Sequence, residues 1–72
     1  MRIFRQRPVQ LRLHLLDPAP SIEGIFVGYE AGHYVLKNSK VLRGANDAEA
    51  LEGEAWVPRD RVIFAQTIGA VQ

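Results

Sequence analysis

No cysteine occurs among the 72 residues, so neither disulfides nor thiolate metal sites reinforce the chain, and a reducing compartment fits that absence. Long apolar runs are missing as well: none approaches the roughly 20 residues that a membrane-spanning helix requires. The opening "MRIFRQRP" carries arginines but no apolar stretch of the signal-peptide kind. These absences predict a soluble protein with no membrane contact, resident in the cytoplasm of its own cell or of a host cell.

Signatures of chemistry are equally scarce. Gly24 and Gly28 are four apart inside a strand-like run and precede no helix, so they read as bend glycines and not as a phosphate or dinucleotide fingerprint. Ser21 and Ser39 lie beside no recognisable base and in no nucleophile elbow. His14 and His33 fall on different predicted strands, and Glu30 with His33 offers at most two of the three or four ligands that a metal needs. The expectation is a protein that is not an enzyme, with no catalytic residue, no metal and no cofactor.

What the chain does have is a strongly patterned set of short strands. "VQLRLHL" (9–15) alternates without a break, with Val9, Leu11, Leu13 and Leu15 on one face and Gln10, Arg12 and His14 on the other. "DPAPS" ends it, because two prolines remove ladder donors. "SIEGIFVGYE" (21–30) is a second strand whose alternation changes phase near Gly24, the mark of a bulge or sharp bend. "EAGH" is a tight hairpin turn with Gly32 at positive φ, and "HYVLKNSKVL" (33–42) returns as the third strand.

Residues 43–53, "RGANDAEALEG", have no sustained apolar pattern: "DAEALE" admits a single helical turn with Asp47 as its N-cap, and a long hairpin loop is the preferred reading. "EAWVP" is the fourth strand, "RDR" a 3₁₀ turn, and "VIFAQTI" the fifth strand, with Val62, Phe64 and Ile68 facing inward. A strand that resumes at once after Pro58-Arg59-Asp60 must swing onto a different part of the sheet. The predicted fold is therefore all-β: a small five-stranded barrel with a short 3₁₀ turn before the last strand, spanning residues 9–72 behind a basic arm at 1–8.

Its order resembles the small barrels of the SH3-like and Sm-like kind over about residues 9–68. "WVPRDRVIF" is similar to the strand, 3₁₀ turn and strand that recur in SH3-like folds. "GIFVGYEAGHYVL" (24–36) resembles the first Sm motif, and "VPRDRVIFAQTI" (57–68) occupies the place of the second. Glu30 and Tyr34 stand nearest to the positions of the Asp and Asn of the RNA-binding form, and Pro58-Arg59-Asp60 stands where that family has an Arg-Gly pair. The Arg-rich start, "SIEGIFVG" and "EAWVPRDRVIF" together resemble small proteins from the head-gene clusters of actinobacterial tailed phages.

Charge is unevenly distributed under a net +1. Arg2, Arg5, Arg7 and Arg12 precede the first acid, whereas residues 43–54 hold Asp47, Glu49, Glu52 and Glu54 against Arg43 alone. A 72-residue chain buries only about 60% of its unfolded surface, so covering its edges by association is a route to stability. The expected function is a non-enzymatic assembly protein, implied by the phage resemblance to be a minor capsid component of the virion. Its partners would be copies of itself, a major capsid protein or another head protein, in a homo-oligomer or on a lattice. The arm residues Arg2, Ile3, Phe4, Arg5 and Arg7 would bind a partner, and Asp47, Glu49, Glu52 and Glu54 would receive them. The alternative implied by the Sm likeness is an oligomer binding single-stranded RNA through Glu30, His33, Tyr34, Arg59 and Arg61.

Overall fold

A computed structural model of the chain describes residues 8–44 and 46–70. The arm residues Arg2, Ile3, Phe4, Arg5 and Arg7 lie outside the described residues. The architecture is all-β: β1 (Val9–Leu15), β2 (Ser21–Glu30), β3 (His33–Gly44), β4 (Asp47–Ala50), β5 (Glu54–Pro58), a 3₁₀ turn (Arg59–Arg61) and β6 (Val62–Ala70). All pairings are antiparallel, in the order β4-β3-β2-β1-β6, with β5 also on β3.

The sheet has six strands and not five, because the stretch expected to be a loop contains β4. Lys40 pairs with Ala50 on β4, and Lys37 pairs with Glu54 on β5. Between them the Leu51 N–H donates to the Ser39 carbonyl at 2.9 Å. β4 and β5 therefore run in succession along one side of β3, interrupted at 51–53, where Gly53 takes φ +70°. All four residues of β4 are exposed. Strand identity there comes from backbone pairing, since the alternation in "DAEA" sets only the small Ala48 and Ala50 against two acids, all residues of low β-propensity.

The register slips at four points in the rest of the sheet. Glu23 pairs with Lys40 and Ile25 with Lys37, so Gly24 alone faces both Asn38 and Ser39, and Asn38 takes φ +49°. A Cβ at Gly24 would stand 2.8 Å from the Ser39 Cβ, so only glycine admits this close approach. Val27 is the extra residue between the Phe26–Leu36 and Gly28–Val35 pairs. On β6, Ile63 and Ile68 are each extra relative to β1. The slip at Ile63 corrects the expected facing of the last strand: Val62 packs on the core, whereas Phe64 is exposed on the far face.

Chain connectivity makes the sheet curl. β5 and β6 end the path β5-β3-β2-β1-β6, which in a flat sheet would hold them about 19 Å apart at about 4.8 Å per strand. Yet Pro58 and Val62 are separated by a three-residue 3₁₀ turn that advances only about 2 Å per residue. The two end strands must approach each other at this corner. Val57 of β5 and Val62 of β6 accordingly pack on one core with Val9, Leu11, Leu13, Phe26 and Leu36. The Arg59 N–H donates to the Gly32 carbonyl at 2.9 Å, tying the corner to the β2–β3 turn, where Ala31 and Gly32 both adopt positive φ.

Candidate functional site

Three surfaces gather the side chains that bear on function. The first surrounds the β2–β3 turn. Glu30 pairs with His33 and Tyr29 with Tyr34 across the hairpin, and His33 pairs with Pro58 on its other side. The Arg59 guanidinium stands 5.8 Å from the centroid of the Tyr29 ring, a cation–π geometry. His33 Nδ1 lies 2.6 Å from the Ala31 carbonyl oxygen, which accepts from an N–H, so the proton is on Nδ1. Tyr34 is half-buried, 4.9 Å from Tyr29 and 6.1 Å from Phe26 between ring centroids. Burial raises its phenol above the ordinary value of 10.0, and the neighbouring Tyr29 adds to the effect.

Of the five residues expected to meet RNA, this surface unites Glu30, His33, Tyr34 and Arg59. Arg59 and His33 line one shallow cavity together with Asp60. Arg61 lines a different one. The Tyr34 ring is half-buried and makes tilted contacts with two aromatic neighbours.

The second surface is a polar row across the sheet. Gln66, Arg12, Glu23, Lys40 and Ala50 are successive cross-strand partners from β6 to β4. The Glu23 side chain is only 8% exposed and accepts from Arg12 Nε at 2.8 Å, with Lys40 Nζ at 3.4 Å from its other oxygen. Two cations thus satisfy one buried carboxylate, and the row is structural. Beyond it, Asp47 and Glu49 stand on β4, Glu52 follows in the 51–53 interruption, and Glu54 opens β5. The acids expected to sit on a loop thus flank an edge of the sheet. Glu49 is hydrogen-bonded to Arg43 across the hairpin and raises the pKa of that guanidinium. Trp56 Nε1 donates to Glu54 Oε1 at 3.2 Å.

The third surface is apolar. Among the described residues, the large hydrophobic side chains that stand exposed are Leu16 (46%), Trp56 (43%), Ile63 (58%) and Phe64 (54%). All flank the 3₁₀ corner. Trp56 is two residues before Pro58, and Ile63 and Phe64 closely follow Arg61. The Leu16 N–H donates to the Arg61 carbonyl at 3.0 Å. Leu16, Trp56, Pro18 and Pro58 line a groove of about 330 Å³ floored by Leu15, Ile22 and Val57, with Asp17 and Arg61 also in its wall. Sequence reasoning missed Leu16 and Ile63. The doublet Leu15-Leu16 breaks the alternation of β1 just before the prolines, and that break was the available signal for an outward leucine.

No family model matches the chain, and no curated protein or solved structure matches it either. The reading of function therefore rests on these surfaces.

Proposed function

We propose that the chain is a non-enzymatic interaction module, a small curled barrel of the SH3-like/Sm-like kind that works by having its apolar end covered by another protein. One observation carries this: four large hydrophobic side chains are about half exposed and concentrated around one corner of a domain with a thin core. Scattered exposed apolar residues are ordinary, but a concentrated set marks a contact surface. The basic arm and the acidic strand edge supply opposite charges for orienting such a contact. A minor structural role in a tailed-phage head is the setting that the sequence resemblance suggests, and it is supported by that pattern alone.

The RNA reading has weaker support. Its aromatic member is packed against Tyr29 and Phe26, Asp60 shares the Arg59 cavity, and Arg61 faces elsewhere.

Photo-cross-linking in the source cells tests the proposal, with benzoylphenylalanine placed at Trp56 or Phe64. Adducts to protein are expected, whether to this chain or another. Adducts to nucleic acid, or none at either position, would contradict it.

A further inference from the structure

Among the described residues, the groove at the 3₁₀ corner has two charged side chains in its wall, and they are opposite in sign. Asp17 comes from the β1–β2 turn and Arg61 from the end of the 3₁₀ turn. Both are exposed, and among the described residues neither forms an ion pair. A foreign surface of one sign would meet one favourable and one unfavourable charge here. A second copy of the chain, turned about a two-fold axis, meets both favourably.

We propose that two copies associate through this corner as an isologous dimer, with Asp17 of each facing the partner subunit's Arg61. This names the partner for the interaction surface proposed above and rests on that reading. In the dimer, Ile63 and Phe64 of each copy lie against Leu16 and Trp56 of the other. The reach is suitable: consecutive Cα atoms are about 3.8 Å apart, so Ile63 lies within about 8 Å of Arg61 in the groove wall.

The size of the patch also fits a pair. Four half-exposed side chains of this size present on the order of 400 Å² of apolar surface. That is about half of the roughly 800 Å² that each partner buries in a standard interface, with the polar rim supplying the remainder. The groove, at about 330 Å³, admits one or two side chains and not a folded element. A reversible dimer follows, held by apolar burial and selected by the two reciprocal charge pairs.

The experiment uses the full chain and two single reversals, Asp17→Arg and Arg61→Asp, in sedimentation equilibrium. Wild type is expected to be a monomer–dimer system, with the emission of its single tryptophan, Trp56, shifting to the blue as concentration rises. Each reversal alone places like charges across the axis and is expected to weaken the dimer by at least about tenfold. An equimolar mixture of the two restores it, because each copy then meets only opposite charges. Should either reversal prevent folding by circular dichroism, Phe64→Ser replaces it and must weaken association as well.

A wild type that stays monomeric would overturn the inference. So would a larger ring, a dimer indifferent to both reversals, a mixture that fails to reassociate, or a Phe64→Ser dimer of unchanged strength. If the chain is monomeric while photo-adducts from Trp56 or Phe64 join it to another protein, only the self-association fails. Adducts to nucleic acid or none at all would instead remove the interaction-module reading itself.

Discussion

His14 lies nearly flat against Phe64, with ring centroids 4.2 Å apart and planes 19° from parallel, on the face of the sheet turned away from the core. The two are direct cross-strand partners between β1 and β6, and His14 Nε2 is also within 3.0 Å of Gln66 Oε1. Phe64 is still 54% exposed despite this cover. Its ring is held in place by one neighbour and left open to another. His14→Ala should therefore cost roughly 0.5–1 kcal/mol of stability, the size of a stacked pair, and should loosen association through Phe64. Urea denaturation and sedimentation of the same variant check both effects.

The Gly24–Ser39 approach predicts a coupled pair. Gly24→Ala should destabilise by about 1–3 kcal/mol, since the new methyl meets the Ser39 Cβ and backbone. Ser39 Oγ is buried without a hydrogen-bond partner among the described residues, so Ser39→Ala should leave stability within about 1 kcal/mol of wild type or raise it. A Ser39→Gly background should recover part of the Gly24→Ala loss. Denaturant midpoints of the three variants and the double variant decide this.

Glu23 is the hinge of the polar row. Glu23→Gln should cost about 1–2 kcal/mol by weakening charge-assisted bonds to Arg12 and Lys40, whose own partial exposure lets water compensate them. The loss should shrink in high salt, because wild type loses part of the same interaction there. Chemical denaturation at two ionic strengths measures it.

Tyr34 predicts a pH dependence. Its native pKa lies above 10.0 because burial disfavours the phenolate, with Tyr29 reinforcing the shift. Between the unfolded and native values the unfolded chain has lost the proton that the native state retains, so raising the pH favours unfolding. The stabilisation is complete below about pH 10 and is lost as pH rises through the native value. Tyr34→Phe should flatten that alkaline decline relative to wild type, which thermal melts across the alkaline range would show.

Deleting residues 1–7 bears on the arm. The proposal expects weaker association with its protein partners. Unchanged oligomer size and partner capture would remove the arm from the account.

Much of the sheet was legible because its strands show their pattern. β1, β2, β5 and the 3₁₀ turn fall at the residues that alternation, proline and glycine indicate. β4 was hidden because alanine and the acids are poor strand formers and all four residues face solvent, so the alternation in "DAEA" buries no apolar face. The facing of Phe64 was misread because one extra residue, Ile63, inverts the alternation after Val62. No local sequence rule marks that slip, which is set by the register against β1. The apolar corner was illegible for a related reason: Leu16, Trp56, Ile63 and Phe64 are scattered over 49 positions, and only the fold brings Leu16 and Trp56 into one groove wall. The charges of Asp17 and Arg61 became informative only when the fold put both in one groove wall.

Hydroxyl-radical footprinting of the chain in its assembled state and as a dilute isolated chain tests the central claim most directly. Leu16, Trp56, Ile63 and Phe64 should be labelled heavily in isolation and protected together on assembly. Equal labelling of these four side chains in both states would contradict the claim that this corner exists to be covered by protein.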